Sequence, residues 1–387
     1  MEARNILIVG GRLQGTEIAY LACEAGYRTL LVDRNAEVPA RGIATSFVQA
    51  DARYELGMLP LVRHADVIIP AVEDAQVLER LVAYGRATGT PVICDLNAYA
   101  ISSSKTRSNE LFDRLSLRIP GPYPWCGFPA IVKPDGLSGS RGVHRVNTSG
   151  ELAVAMKGGG AVVQRFVEGR SFSMEVIGNG KSALLMPITE VVTGDDFDCV
   201  RIEAPARTTP DERTQFTRIA HRLADALHID GIFDIEVISS NGLLYVLEID
   251  ARFPSQTPIA IYHATGINMV DALVRLKLGC LEMPLRNRVR ACLYQQVEIS
   301  RGGVALAGEH AMASCGPLRI RHGAYGADVM MTDDVLHDGC RRAIVINVAP
   351  TYEKAHERFA NCAAAMGAKN HGIFDERNSH VAADCVR

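Results

Sequence analysis

Glu248-Ile249-Asp250-Ala251-Arg252-Phe253-Pro254-Ser255-Gln256-Thr257-Pro258, together with Asp234-Ile235-Glu236 upstream of it, decides how this chain is read. Residues i and i+2 of a strand face the same side, so two neighbouring strands present Asp234 and Glu236 beside Glu248 and Asp250. Clustered carboxylates repel one another unless a cation neutralises them. Oxygen donors of this kind suit Mg²⁺, which takes one or two carboxylates together with nucleotide phosphates. Solvent-facing acids on an amphipathic hairpin would also produce this pattern. Against that reading, Gly231-Ile232-Phe233 and Leu244-Tyr245-Val246-Leu247 are apolar enough to bury both strands. Arg252, just beyond Asp250, is placed to hold a transferring phosphoryl group or an acyl-phosphate.

Upstream lies Ala130-Ile131-Val132-Lys133, then Pro134-Asp135-Gly136-Leu137-Ser138-Gly139-Ser140-Arg141-Gly142-Val143. A lysine at a strand end followed by a Gly/Ser-rich loop offers a point charge, amides and hydroxyls to phosphate oxygens. The lysine precedes the loop, so this is not a Walker A sequence, and a solvated β-turn would look similar. Further upstream the pattern is different. Ile6-Leu7-Ile8-Val9, Thr29-Leu30-Leu31-Val32, Val67-Ile68-Ile69-Pro70 and Pro91-Val92-Ile93-Cys94 are continuous apolar runs, as inner parallel strands require. Helical spacing between them, at 15–25 and 75–89, predicts a doubly wound, Rossmann-like domain of about a hundred residues.

The loop Gly10-Gly11-Arg12-Leu13-Gln14-Gly15, with Asp33 ending the next strand, is similar to a dinucleotide fingerprint, but its glycine spacing is wrong for one. A strand-to-helix turn needs glycine in any case. The loop's amides could equally hold a substrate carboxylate, with Leu13 and Gln14 as candidate contacts. Glu73 sits just past a strand end, where open α/β sheets bind ligands. It joins Asp195, Asp196 and Asp198 as acids able to offset ammonium groups, although Asp195-Asp196 also reads as a plain turn. Ser255, Gln256 and Thr257 offer neutral hydrogen bonds. After Leu96 come a helix near 104–114, a proline-dense connector at 120–129, alternating strands over 171–250 and a helix near 210–227. A strand near 343–348 and a helix from about Thr351 follow, with a frayed end near 375–387.

Composition narrows the function classes. Charged residues make up 22% and hydrophobic ones 48%, and 41 basic side chains face 44 acidic ones for a net charge of -3. No overall field favours nucleic acid or a membrane surface. The ten cysteines include no Cys-x-x-Cys pair, so reduced thiols and a cytoplasmic location are expected, without zinc. No signal peptide is expected at the N-terminus.

The order of these pieces resembles the ATP-grasp family: Lys105, then Lys133 with its loop, then Gln164-Arg165-Phe166-Val167-Glu168-Gly169, then the two carboxylate strands. The resemblance implies an α/β and α+β chain, with an N-terminal doubly wound domain (1–98), a small subdomain with the phosphate flap (99–166) and a large subdomain with the metal site (167–387). It further implies ATP and Mg²⁺. Lys105 and Lys133 would meet the phosphates, and Ser138, Gly139, Ser140 and Gly142 would form the flap. Gln164, Phe166, Val167 and Glu168 would meet the nucleoside, Glu236, Glu248 and Asp250 the metal, and Arg252 would be catalytic. Ser171 stands where many members carry a ribose-binding glutamate, leaving Glu175 as a candidate. Met174-Glu175-Val176-Ile177-Gly178, Asp198-Cys199 and the run through Thr257-Pro258 resemble the branch that serves pyrrolysine biosynthesis. That branch joins 3-methyl-D-ornithine to the ε-amine of L-lysine. A different amine pair, an NAD-dependent oxidoreductase and a silent nucleotide-binding protein are the alternatives. Small amino acids are the expected partners, with a homodimer allowed.

Overall fold

The computed structural model describes residues 4–279 and 289–381. Its first apolar run forms the strand Asn5–Val9, between the parallel strands Arg28–Asp33 and Val67–Pro70, with Ser46–Gln49 outside Arg28–Asp33. Period-two alternation sends successive side chains into two cores. Ile6 and Ile8 join helix Leu13–Glu24 and residues of helices Thr257–Thr265 and Met269–Lys277. Leu7 and Val9 join Met58, Val62 and Leu81 on the other face. Both faces are therefore covered, which is why the run is apolar throughout.

The run Pro91–Cys94 falls short of the expected strand and makes a single bridge, Ile68 to Val92. Pro91 has no N–H to donate. Asp95 then ends the extension by capping helix Leu96–Ser102, accepting from the amides of Asn97 and Ala98. The strand Ser46–Gln49 is part-exposed and lacks a continuous apolar run, so the sequence pattern does not reveal it.

Helix Lys105–Arg114 leads through the proline-dense connector into a three-stranded antiparallel sheet, ordered His144–Val146, Ala130–Pro134, Ala161–Arg165. Ala130, Val132, Val146 and Leu152 form its small core. The largest sheet has eleven strands among the described residues. Its edge hairpin, Asp230–Ser240 with Leu243–Asp250, pairs through Asp230–Ser240 to Arg170–Asn179. Helix Pro210–Leu227, started by a Thr209/Glu212 capping box, buries Phe216 and Leu223 in a core with Phe172, Phe233 and Val246. The final helix, Tyr352–Val381, covers the first part of the stretch expected to fray; 382–387 lie outside the described residues.

Candidate active site

The two acidic strands are antiparallel neighbours in a register that pairs Glu236 with Glu248 and Asp234 with Asp250. The register shifts immediately afterwards, with Val237 opposite Val246, so that Leu247 has no partner. An extra residue of this kind is a β-bulge, which locally breaks the alternation of sides. Consecutive Leu247 and Glu248 consequently line the same cavity as Glu236 and Ile238.

Burial and mutual repulsion disturb these acids strongly. Burial first, then Glu248 and Asp250, push Glu236 up to about 8. Burial likewise lifts Asp250 to about 7, against the pull of Arg252. Asp234 is held well above the usual carboxylate range by burial and by Asp250.

Two lysines reach the same place from other elements. Ile131 and Lys133 share one face of their strand and line the cavity. Burial lowers the Lys133 ammonium, Glu248 opposes that shift and Lys105 reinforces it. Lys105 begins its helix, and Asp135 fixes that helix start by accepting from the Lys105 amide at 2.6 Å and the Thr106 hydroxyl at 3.0 Å. The Lys105 Nζ then stands 3.7 Å from Glu248 Oε2.

Apolar side chains, among them Ile131, Val191, Ile238 and Leu247, wall this cavity of about 140 Å³. Val167 and Ser171 line it, as does Phe166, whose ring lies 6.2 Å from that of Phe197 and carries Arg145 at 4.4 Å. Gln164 is buried, and its side-chain amide donates to Asn109 at 3.5 Å. Glu168 is exposed and outside the lining. The Ser/Gly loop closes over the cavity: Ser140 donates to the Phe197 carbonyl at 2.9 Å and Ser138 donates to Glu73. Gly142 has φ +71°, and a Cβ there would stand 3.0 Å from Pro134 Cγ.

A second cavity, about 570 Å³, opens at the carboxyl edge of the parallel sheet. The 10–14 loop, Glu73, Ser138, Gly139, Arg141 and Glu309 line it. Arg252 pairs with one acid of this cavity and one of the hairpin, its Nε 2.7 Å from Glu73 and its Nη2 3.0 Å from Asp250. Gln14 donates to Glu73 at 2.7 Å. Burial pushes the Glu73 carboxyl up, but Arg252 and the hydrogen bonds from Ser138 and Gln14 outweigh it and leave the group low.

The remaining expected contacts divide. Ser255 donates to Glu309 at 3.2 Å beside this cavity. Gln256 is buried at the start of helix Thr257–Thr265, and Thr257 donates to Glu175, itself buried and so no ribose contact. Leu13 touches the cavity yet is 4% exposed and belongs to the core. Asp198 is buried and accepts from the His310 amide at 3.0 Å. Asp195-Asp196 form the turn. Asp33 is engaged within its own loop, accepting from the Gly11 amide at 2.7 Å and the Asn35 amide at 2.8 Å.

Residues 103–256 match the family model for the ATP-grasp domain. The chain is 33% identical over 305 residues to the 3-methyl-D-ornithine–L-lysine ligase of Methanosarcina mazei, covering 78% of this chain and 80% of that one. The corresponding ligase of Methanosarcina barkeri is also 33% identical, over 78% and 82% of the two chains. This chain belongs to the ATP-grasp ligases. Its sequence groups it there with the 3-methyl-D-ornithine–L-lysine ligases. The N5-carboxyaminoimidazole ribonucleotide synthetase of Thermus thermophilus superposes with a TM-score of 0.73 at 16% identity, over 92% of this chain and 97% of that one. Biotin carboxylase of Campylobacter jejuni gives 0.71 at 15%, over 92% and 89%. At those identities the likeness is one of fold.

Within this ATP-grasp ligase, the acidic hairpin, both lysines and the Ser/Gly loop converge on one cavity. Glu309 and Phe197 line these cavities without any signal in the sequence. Phe197 follows a turn with no motif, and Glu309 lies in a C-terminal segment whose residues match no pattern.

Proposed function

We propose that this ligase joins the carboxylate of 3-methyl-D-ornithine to the ε-amine of L-lysine, consuming ATP and releasing ADP and phosphate. The observation that carries the proposal is the meeting of the Glu236–Glu248 pair with Lys105 and Lys133 at one cavity, with Arg252 ion-paired both to Asp250 of the hairpin and to Glu73 of a second, larger cavity. The first space suits a polyphosphate with its cation. The second presents Glu73, which suits a substrate bearing an ammonium group. The names of the relatives at 33% identity support this particular pair of amino acids.

The proposal divides the chain at 1–98, 99–166 and 167–387, with the nucleotide held between the second and third parts. A homodimer in the cytoplasm completes it, supported by a structural neighbour that is a biotin carboxylase domain dimer. Glu236, Glu248 and Asp250 would hold Mg²⁺. These carboxylates fit it: the set is all oxygen, and the buried Asp234 Oδ1 beside it has no hydrogen-bond partner among the described residues. When bound, Mg²⁺ neutralises phosphate charge and acts as a Lewis acid.

The chain's own residues divide the remaining work. Lys105 and Lys133 face the phosphates, and the 138–142 loop covers them and excludes water. Phe166, Val167 and Ser171 border the nucleoside. A carboxylate oxygen of 3-methyl-D-ornithine attacks the γ-phosphorus, ADP leaves, and an acyl-phosphate results. The lysine amine then attacks the acyl carbon, and phosphate leaves with the former carboxylate oxygen. Arg252 offers its guanidinium to the charge that develops on these oxygens. Positioning and charge stabilisation are sufficient, and no cysteine nucleophile is needed.

The test is ADP release by the purified enzyme with MgATP, omitting each amino acid in turn, with mass spectrometry of the product. Release that needs both amino acids, with a product linked through the ε-amine, supports the proposal. Turnover only with another amine or acid reassigns the substrate, and no ADP with any pair refutes it.

A further inference from the structure

Glu309 lines the second cavity, and the proposed reaction leaves its carboxylate without a task. Glu309 opens the short helix Glu309–Ala313, on a segment that follows the strand Gly303–Leu306. Its carboxylate is placed by three neighbours from two distant parts of the chain. Ser255, in the run just after Arg252, donates to it at 3.2 Å. The flap tip lies against it, since a Cβ at Gly139 would stand 3.9 Å from its Cδ. Arg252 is the leading opposite charge acting on it. Glu309 therefore stands where the flap and the second cavity meet, within the field of the arginine.

Its charge is less well compensated than that of Glu73. Glu73 has Arg252 at 2.7 Å and hydrogen bonds from Gln14 and Ser138, whereas the neutral Ser255 hydroxyl supplies the hydrogen bond to Glu309. Of the other ionisable groups, Asp198 and Glu73 act on it most strongly, Arg141 and His310 line the same cavity, and it acts in turn on the Cys199 thiol. Burial, Asp198 and Glu73 raise its carboxyl, and Arg252 and Ser255 pull it back. A carboxylate with acidic neighbours and an open cavity beside it attracts a ligand cation.

Taken with the proposed ligation, on which this inference rests, the amine that attacks the acyl-phosphate arrives as an ammonium, because a lysine side chain ionises near pH 10.4. It must lose a proton to become a nucleophile. We infer that Glu309 receives the ammonium of the acceptor amino acid and takes its proton as the amine attacks the acyl carbon. The balance closes: one proton passes from nitrogen to the Glu309 carboxylate, the C–N bond forms, and the C–O bond to phosphate breaks. The second nitrogen proton leaves with the phosphate.

Hydroxylamine tests this, because it is a neutral nucleophile at pH 7 and needs no base to become one. Wild type and Glu309→Gln are assayed with MgATP and 3-methyl-D-ornithine, once with hydroxylamine and once with L-lysine. The inference expects hydroxamate formation by E309Q within about threefold of wild type, and amide formation with lysine reduced by about 100-fold or more. The residual amide formation should climb with pH toward the ionisation of free lysine, and Glu309→Asp should recover part of the loss. Equal amide formation by E309Q and wild type overturns the inference. Equal loss of hydroxamate and amide also overturns it, because Glu309 would then support the flap or Arg252 rather than the amine. A wild-type enzyme that forms neither product from 3-methyl-D-ornithine sinks the substrate assignment itself, and that is visible before any variant is made.

Discussion

Glu236 and Glu248 are direct cross-strand partners, and the unpaired Leu247 beside them turns two consecutive side chains of one strand into the same cavity. Like charges facing each other across a ladder are destabilising, so this pair costs the fold something that a bound cation returns. Glu248→Gln should leave the ligand-free enzyme folded with an equal or higher Tm, while reducing turnover by at least about 100-fold. Calorimetry with and without Mg²⁺ and ATP gives the second half of the test. Wild type should be stabilised by the pair of ligands and E248Q much less.

Arg252 forms two ion pairs at once, to Glu73 and Asp250. A lysine keeps the charge but lacks the planar fork that engages both. Arg252→Lys should lower kcat by about 100-fold, with ATP binding measured by calorimetry changed much less. An R252K enzyme with near-normal kcat would remove the arginine from the chemistry.

The flap depends on glycine at one defined position. Gly142 has φ +71°, and a Cβ would press on Pro134. A residue with a side chain in that conformation costs about 1–2 kcal/mol. Gly142→Ala should therefore raise the KM for ATP about tenfold, at the 1.4 kcal/mol that a factor of ten represents. The melting temperature should change little, because the loop lies outside the cores.

Stability should also depend on pH through a group away from the nucleotide. Glu17 is 1% exposed and accepts from the Ile259 amide at 2.9 Å. Burial raises its carboxyl from 4.5 to about 8, despite that bond and those from Tyr294 and Gln256. A folded-state pKa above the unfolded value means that the fold takes up a proton between those limits. The contribution is complete below pH 4.5 and is lost as pH rises through 8. The ligand-free enzyme should therefore lose Tm across that window, and Glu17→Gln should flatten the decline. A slope unchanged in E17Q would place the dependence elsewhere.

The sequence was informative where one residue type served one purpose. Continuous apolar strands marked the parallel sheet, because both its faces are buried. The i, i+2 acids marked the hairpin, because strand geometry sends them one way. The pattern was silent where tertiary context decided. Nothing in Pro91–Cys94 says that Asp95 will cap a helix and cut the strand to one bridge. The bulge at Leu247 exists only in the pairing of two strands. Gln256 and Thr257 carry the polar groups a substrate contact needs, yet both are buried at a helix start, with Thr257 donating to Glu175. Glu309 becomes notable only when the fold brings its segment to Ser255 and Gly139.

The most direct test of the account follows one oxygen. 3-Methyl-D-ornithine labelled with ¹⁸O in its carboxylate is turned over with MgATP and L-lysine, and the released phosphate is examined by mass spectrometry. Activation through an acyl-phosphate moves one labelled oxygen into each inorganic phosphate and leaves the other in the amide. Unlabelled phosphate accompanying amide formation would contradict the account, because the carboxylate would then have been activated without bonding to phosphorus.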